Sequence, residues 1–221
     1  VALWATQRDF ELIERLRSGN TLEYLNDKEQ GWYWARGLQK PGSGEKESEA
    51  LAKLPQIPTR SVRRYSIDKD KMEIIGERYF DRTGLEEIYY APHTLLKRGP
   101  SKGKLCAAFA DFDCAFKDSI YGIAASANRE SLLKALTAYF NSPFPAYFLF
   151  LTAAQWGIER PRISKTRISD LPDILHNMSE DTLEELVAKT DEIQRLISAG
   201  QLETDPRVRA LQNQANGIIY G

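Results

Sequence analysis

The feature that most constrains the fold is a change in the spacing of apolar residues along the chain. Between residues 60 and 125, short segments rich in aromatic and β-branched residues alternate with glycine, proline or aspartate. Closely spaced strands without intervening helices are typical of an antiparallel or mixed sheet and argue against a doubly wound parallel one. The predicted strands are 61–65, 72–75, 87–90, 94–97, 104–110 and 119–125, with a short aromatic strand before them at 31–38.

From residue 128 onward the apolar spacing becomes helical. Asn128 is a favourable N-cap for a helix with one apolar face, and the prolines within 141–145 predict its end. The apolar run 146–156 predicts a buried helix that stops at Gly157. A short amphipathic helix is also predicted near the N terminus, ending at Gly19. Residues 40–60, rich in glycine, proline and charge, predict a flexible loop or an irregular excursion.

The last fifty residues carry two apolar stripes of helical spacing. The first stripe and the second are separated by Gly200 and by the helix start signal Asp205-Pro206. Such a pattern predicts an antiparallel helical hairpin. We therefore predict an α+β fold with two domains, a β-rich body at 1–172 and a helical hairpin at 173–221. The stripes are Leu183, Leu186, Thr190, Ile193 and Ile197, then Val208, Leu211, Ala215 and Ile218.

Charge is divided unevenly between these two parts. The 221-residue chain has a net charge of −1, but residues 1–172 hold 26 basic and 22 acidic residues, whereas residues 173–221 hold 4 and 9. This asymmetry favours a basic working face joined to an acidic appendage. Chance variation between two solvated surfaces is an equally good reading of charge alone.

Two acid-free cationic stretches stand out within the basic part. Each spans eight residues and contains turn-forming residues, so that cations and backbone N–H groups can approach a phosphate together. A run of charge is more often only a solvated surface. The two stretches contain Lys97, Arg98, Lys102 and Lys104 in the first and Arg160, Arg162, Lys165 and Arg167 in the second.

Catalytic signatures are missing from the sequence. It has no phosphate-binding glycine motif, no HExxH and no GxSxG, and two cysteines with two histidines are too few for a disulfide framework or a His-built metal cluster. The acid pairs Asp68/Asp70 and Asp111/Asp113 favour solvated surface over a metal site. Cys106, in an apolar segment, is more typical of a core residue. His93 is more typical of a residue with a solvent or structural role than of a phosphate contact.

The ends of the chain and its apolar runs predict a location. The sequence starts at Val1 without a leader, which favours an excised or mature piece of a cytoplasmic protein. The longest apolar run, 146–154, is far shorter than the ~20 residues of a membrane span.

Several segments, taken in serial order, resemble a known family. They are similar to the C-terminal target-recognition domain of TaqI-like and type IIG N6-adenine DNA methyltransferases, which is related to the recognition domains of type I specificity subunits. The likeness covers residues 1–172, although no single motif is diagnostic. The segments are APHTLLKRG at 91–99, LCAAF at 105–109, FKDSIYGI at 116–123, LKALTAYFNS at 133–142, AYFL at 146–149 and WGIERPRI at 156–163, running on to 171–172.

The resemblance implies a double-stranded DNA partner and a non-catalytic chain. The S-adenosylmethionine site would belong to a methyltransferase domain of the same parent protein, where the target adenine is flipped out and methylated. Lys97 would belong to the DNA-binding set. We predict phosphate contacts from Lys102, Lys104, Lys165 and Arg167, and base contacts from Arg98, Arg160 and Arg162, because a guanidinium can pair bidentately with guanine.

Two other functions stay open at this point. The acidic hairpin could dock another subunit, so that the chain would be a protein-interaction module in which the basic turns are incidental. A nuclease ranks last, because the sequence lacks a convincing cluster of two acids and a lysine. Whether a restriction endonuclease accompanies the parent methyltransferase, and which DNA sequence it recognises, are also open.

Overall fold

The structure is a computed structural model that describes residues 5–39, 44–74, 76–153 and 162–220. Short strands and longer helices follow one another along the chain. The strands are β1 Trp32–Arg36, β2 Lys46–Glu47, β3 Pro55–Ile57, β4 Val62–Arg63, β5 Ser66–Ile67, β6 Glu73–Ile74, β7 Tyr79–Phe80, β8 His93–Lys97, β9 Ala107–Ala110, β10 Ala115–Phe116 and β11 Ile120–Ala125. The helices are α1 Gln7–Arg17, α2 Glu49–Lys53, α3 Glu130–Asn141, α4 Pro143–Thr152, α5 Lys165–Ser169, α6 Glu180–Ser198 and α7 Pro206–Tyr220.

A four-stranded antiparallel sheet organises the molecule, in the order β1-β11-β8-β9. Strand β11 is buried along its whole length, because both faces of the sheet are covered. Gly122 in β11 permits close packing on one face, since a Cβ there would lie 2.5 Å from the Phe116 ring. Three small sheets, β10-β3-β6, β2-β7 and β4-β5, surround the main one.

Two apolar cores lie on the two faces of this sheet. Leu95 and Leu96 are adjacent in β8 and belong to different cores, as the alternation of side chains along a strand requires. The larger core joins the sheet to the helices and includes Leu136 of α3. The smaller core contains Ile57, Phe116 and other side chains from the excursion and the short strands.

The C-terminal helices form the predicted hairpin and pack on the body. Of the predicted stripes, Leu186, Thr190 and Ile193 in α6 and Val208 and Ala215 in α7 are buried. Helix α6 lies against α3, where Lys134 donates a hydrogen bond to Asp191 over 3.0 Å. The structure therefore confirms an α+β fold with a β-rich body, a few packed helices and an antiparallel helical hairpin.

Local structure differs from the prediction in three places before residue 125. The segment 87–90 is a 3-10 helix, Glu86–Tyr89, because Ile88 and Tyr89 both turn into the core. The region 40–60 is more regular than predicted, since it contains β2, α2 and β3. The segment 61–65 contains β4 and the turn into β5, with Tyr65 in a left-handed conformation at φ 63°.

The helices after residue 125 also depart from the prediction in detail. Asn128 does not cap α3, because its side chain accepts a hydrogen bond from the Ser126 hydroxyl and a 3-10 turn, Ala127–Arg129, precedes the helix. Helix α4 begins at Pro143 and is not buried on all sides, since Tyr147 and Phe150 are exposed. Helix α4 ends at Thr152, earlier than the predicted stop at Gly157, which lies outside the described residues.

Candidate nucleic-acid interface

The two cationic stretches meet in space through their backbones. The Ile163 N–H donates a hydrogen bond to the Arg98 carbonyl over 2.9 Å, and the Arg98 N–H donates to the Ser119 carbonyl over 3.0 Å. The Tyr121 hydroxyl, from the middle of the main sheet, donates to the Ile163 carbonyl over 3.1 Å. Segments 65 residues apart in sequence are thus fixed to each other and to the sheet.

A concavity of about 440 Å³ opens where the two stretches meet. Four cations and one acid line it, and we call it the basic groove. Its other lining residues are small or polar, and the hydroxyls of Thr59 and Ser119 lie 2.5 Å apart. The charged residues of the basic groove are Arg60, Lys97, Arg98, Arg162 and Asp118.

The four cations of the basic groove differ in how far they are neutralised. Arg98 is largely buried, and its Nη1 donates to the Asp118 carbonyl over 3.0 Å and lies 3.6 Å from the Asp118 carboxylate. Its guanidinium also lies 5.5 Å from the centre of the Tyr121 ring. Arg60 and Arg162 are exposed, and neither is ion-paired within the described part of the chain. Arg98 is therefore part of the wall, whereas Arg60 and Arg162 are available to a ligand.

The remaining cations of the first stretch lie on a tight hairpin that does not line the basic groove. Ser101 and Lys104 exchange backbone hydrogen bonds of 2.9 and 3.0 Å. Lys102 and Gly103 between them have φ values of 51° and 73°, the pattern of a two-residue type I′ turn. Lys102 and Lys104 are exposed and line a different concavity from Lys97 and Arg98.

The second stretch is also divided. The Lys165 ammonium donates to the Trp34 carbonyl over 2.6 Å and lies 5.0 Å from the centre of that indole. Burial lowers the pKa of Lys165, and nearby Lys28 lowers it further. Arg167 is exposed and lies 3.7 Å from the Asp170 carboxylate. Arg160 lies outside the described residues.

Arg60 is the groove residue that the sequence prediction missed. It begins the acid-free run RSVRR at 60–64, which is as basic as the two stretches that were singled out. The run was attributed to a strand and to the end of the excursion. Its last arginine, Arg64, is largely buried and pairs with Glu203 over 2.6 Å, so only part of the run is available for binding.

The other candidate residues have structural roles. His93 is fully buried, its Nδ1 lies 2.7 Å from the Ile88 carbonyl, and burial lowers its pKa. Cys106 and Cys114 are buried thiols whose pKa values burial raises. Asp111 lies 3.7 Å from Lys69 on the surface. Across 5–39, 44–74, 76–153 and 162–220, no group of three His, Cys, Asp or Glu side chains is placed to hold a metal ion.

Among the helices that the structure describes, none combines the length and the apolar character that crossing a bilayer requires.

Comparison with known proteins gives structural neighbours only. No protein-family model matches the chain, and no curated protein matches it. A structure concerning complex assembly and conformational transition of the type I restriction-modification system aligns with a TM-score of 0.39 and 13% identity. The alignment covers 95% of this chain and 54% of that one.

Two further solved structures align at similar levels. The HsdS subunit from Thermoanaerobacter tengcongensis aligns with a TM-score of 0.37 and 16% identity, covering 97% of this chain and 54% of that one. The type IIL restriction-modification enzyme MmeI in complex with DNA aligns with a TM-score of 0.39 and 10% identity, covering 84% and 31%. The chain thus spans about half of the length of the first two neighbours.

Proposed function

We propose that this chain is a double-stranded DNA recognition module of a restriction-modification system. The observation that carries the proposal is the hydrogen bond between Ile163 and Arg98, which joins two cationic stretches into one basic groove. Two positively charged turns held at a fixed separation on a rigid sheet suit a ligand with regularly spaced phosphates. The serial likeness of residues 1–172 to target-recognition domains supports the same function.

The groove residues take different roles in this proposal. Arg60 and Lys97 contact phosphates, because they are cations that line the concavity. Arg162 is exposed and reads a base edge, since a guanidinium can donate two parallel hydrogen bonds to guanine. Arg98 and Lys165 are positioning residues, because one is held by Asp118 and the other by Trp34. Arg160 stays in the predicted base-contacting set.

Methyl transfer in this proposal belongs to another part of the parent protein. The parent would be an N6-adenine DNA methyltransferase of type IIG or type I-like organisation, with S-adenosylmethionine bound in its catalytic domain. This chain would hold the duplex so that the target adenine reaches that domain. Its partners would be double-stranded DNA and the methyltransferase domain.

The proposal is tested by measuring duplex affinity as a function of salt concentration. Fluorescence anisotropy of a labelled random 30-base-pair duplex would be recorded with the purified chain between 50 and 200 mM salt. If about four to six phosphates are contacted, the logarithm of the affinity falls against the logarithm of salt with a slope between about −3.6 and −5.4. Absence of binding at the lowest salt would contradict the proposal.

A single variant and a matched control locate the contact. We expect Arg162→Ala to make the slope shallower by about 0.9 if Arg162 contacts a phosphate, and to cost roughly 1–3 kcal/mol only on the preferred sequence if it reads a base. Arg195→Ala removes an exposed cation from α6 and should leave the slope unchanged. Equal effects of the two substitutions would place the DNA elsewhere.

The same measurement separates the interaction-module alternative. In that case the chain would not bind the duplex at low salt and would self-associate, or bind a protein, through α6 and α7. Sedimentation of the free chain at the concentrations used for anisotropy distinguishes the two outcomes.

A further inference from the structure

We propose that a second concavity, beside the basic groove, binds an unpaired nucleotide of single-stranded nucleic acid. This concavity has a volume of about 570 Å³, and the hairpin 101–104 stands at its edge. We call it the aromatic pocket. It goes beyond the duplex function proposed above, because its residues are different and its ligand is different. Its defining residues are Lys102, Lys104, Tyr147, Phe150, Gln212, Asn213 and Asn216.

Two aromatic side chains of α4 give the pocket an accessible stacking surface. Tyr147 and Phe150 are 42% and 44% exposed, which is unusual for large apolar side chains in this molecule. The Tyr147 hydroxyl donates to the Asp9 carboxylate, whose other oxygen accepts from the Thr6 N–H and hydroxyl over 2.6 and 2.8 Å. The ring is therefore held in place before a ligand arrives, and a preordered ring loses little conformational entropy on binding.

Helix α7 supplies side-chain amides to the same pocket. Gln212 and Asn213, which are adjacent in sequence, line it together with Asn216, one helical turn further along. The Gln212 Nε2 is buried and has no hydrogen-bond partner among the described residues. A carboxamide carries both donors and an acceptor, and so complements the polar edge of a nucleobase. An unused buried donor beside exposed aromatic rings favours a flat, polar ligand over an apolar peptide.

Two cations complete the chemistry of a nucleotide site. Lys102 and Lys104 lie on the tight turn 101–104, are exposed, and form no ion pair within the described ranges. They can neutralise the phosphates that flank a bound base. Stacking rings, edge-reading amides and cations together match the three parts of a nucleotide, the base face, the base edge and the phosphate.

The size and form of the pocket favour a nucleotide that is not base-paired. A cavity of several hundred Å³ holds one molecule of drug-like size, which a single nucleotide resembles. A paired base within a duplex has both faces covered by its neighbours, so stacking on Tyr147 requires a base outside a duplex stack. The segment 97–104 contributes to both sites, because its first three residues line the basic groove and its last three line the aromatic pocket.

The test compares single-strand and duplex binding by the whole chain and three variants. Anisotropy would be measured at 50 mM salt with a labelled 12-nucleotide mixed-sequence single strand and with a labelled duplex. We expect Tyr147→Leu, which removes the ring, to weaken single-strand binding about 5- to 150-fold, and duplex binding less than twofold. The matched control Tyr147→Phe keeps the ring and should stay within about threefold of the unmodified chain.

A third variant tests the aromatic pocket at a position other than Tyr147. Phe150→Leu changes only an exposed side chain, and we expect it to weaken single-strand binding in the same direction as Tyr147→Leu. Thermal unfolding of each variant would show whether it is folded.

The possible results separate this inference from the proposed duplex function. Failure of the unmodified chain to bind the single strand, or equal single-strand binding by Tyr147→Leu and the unmodified chain, would overturn the inference and leave the duplex function standing. An equal loss on both ligands would overturn it too, because the pocket would then belong to the duplex surface. A change in self-association without a change in single-strand binding would identify a protein interface instead. Loss of duplex binding in Arg162→Ala alone concerns only the basic groove.

Discussion

The basic groove and the helical hairpin use the same kinds of charged residue in opposite ways. In the hairpin, Arg195 and Arg207 both contact Glu192, at 2.7 and 3.0 Å. Four cations and one acid, Asp118, line the groove, and Asp118 pairs with Arg98, which forms part of the wall. The hairpin therefore pairs these two cations within the fold, whereas the groove leaves Arg60 and Arg162 for a ligand.

The difference also has a structural cause. The groove forms where short strands, turns and the end of β8 bring residues from distant segments together, and Arg98 in it lies over the ring of Tyr121, a residue of the larger core. The helical hairpin consists of two long helices, α6 and α7, whose apolar stripes pack on each other and on α3. Its charged residues lie on the surface at helical spacing. Neighbouring charges on a helix pair easily, while charges on convergent turns are kept together by the backbone.

The largest expected effect concerns the smaller core, in which Phe116 lies two residues before Asp118 of the groove. Phe116 is fully buried, with its ring centre 4.9 Å from that of Tyr89 and 6.2 Å from that of His93. We expect Phe116→Ala to lower the free energy of unfolding by about 3–5 kcal/mol, because it leaves a cavity. Chemical denaturation would measure this. The control Ile74→Ala, at a 67% exposed position, should change it by less than about 0.5 kcal/mol.

A core that tolerated Phe116→Ala with a loss below about 1 kcal/mol would contradict this packing.

The next prediction removes two arginines from each region. We expect the double substitution Arg60→Ala/Arg162→Ala to weaken random-duplex binding about eightfold at 0.1 M salt, because the Arg60 phosphate contact is lost. On the preferred sequence it should cost roughly a further 1–3 kcal/mol, because the Arg162 base contact is lost as well. The matched double substitution Arg195→Ala/Arg207→Ala removes the same charge from the hairpin and should change affinity by less than about twofold. Similar losses from both would mean that net charge, and not the groove, determines binding.

A change of opposite sign is expected from the acid in the groove. Asp118 lies 3.6 Å from Arg98 and 3.8 Å from Arg82, and it is the only acid lining the groove among the described residues. Asp118→Asn removes a negative charge near the proposed phosphate path, and we expect random-duplex affinity to rise about two- to fivefold. Unchanged or weaker binding by a folded variant would show that Asp118 supports the groove chiefly through Arg98.

The smallest effect concerns the pH dependence of stability near the hairpin. Burial raises the pKa of Asp173 above its ordinary value of 3.8, although the Leu175 and His176 N–H groups donate to its carboxylate. The ionised form is therefore penalised in the folded state, and this penalty is absent below pH ~3.8 and develops as the pH rises through the folded pKa. We expect Asp173→Asn, which keeps the accepting oxygen, to gain stability relative to the unmodified chain as the pH rises from 4 to 7.

Glu192 provides the opposite case in the hairpin. Its hydrogen bonds from Arg195 lower its pKa below the ordinary 4.5, so its contribution to stability is present above that pH and lost as the pH falls. Glu192→Gln should therefore lose stability at neutral pH and match the unmodified chain in acid. Urea denaturation at several pH values would measure both variants. Parallel pH profiles for the two substitutions would contradict these assignments.

The sequence predicted the elements that depend on local pattern. Strands β8 and β11 and the two hairpin helices were predicted near their true positions, because their apolar residues repeat with strand or helix spacing. The prediction of a strand at 87–90 was wrong, since Ile88 and Tyr89 satisfy burial in a 3-10 turn, which a four-residue apolar pattern does not distinguish from a strand. Asn128 is a residue type that often caps helices, but its side chain accepts a hydrogen bond from the Ser126 hydroxyl instead.

The residue types of the site could be predicted from the sequence, but their arrangement in space could not. Acid-free cationic stretches were visible, yet the bond that joins Arg98 to Ile163 spans 65 residues and has no local signal. Equally, nothing in the neighbourhood of Lys165 indicates that its ammonium is held by the Trp34 carbonyl. Which cations of a stretch are free is decided by tertiary contacts. The predicted DNA contacts therefore stay predictions for each residue.

The most direct measurement is cleavage of a DNA duplex by an iron chelate attached to one position of the chain. Both native cysteines are buried, so a single exposed cysteine can be labelled selectively. With the chelate at Ser101→Cys, in the tight turn that follows the groove residues 97–99, we expect strong cleavage of a bound duplex. With the chelate at Leu202→Cys, 71% exposed on the helical hairpin, we expect only background cleavage. Equal cleavage from both positions, or stronger cleavage from position 202, would contradict the claim that the duplex lies in the basic groove.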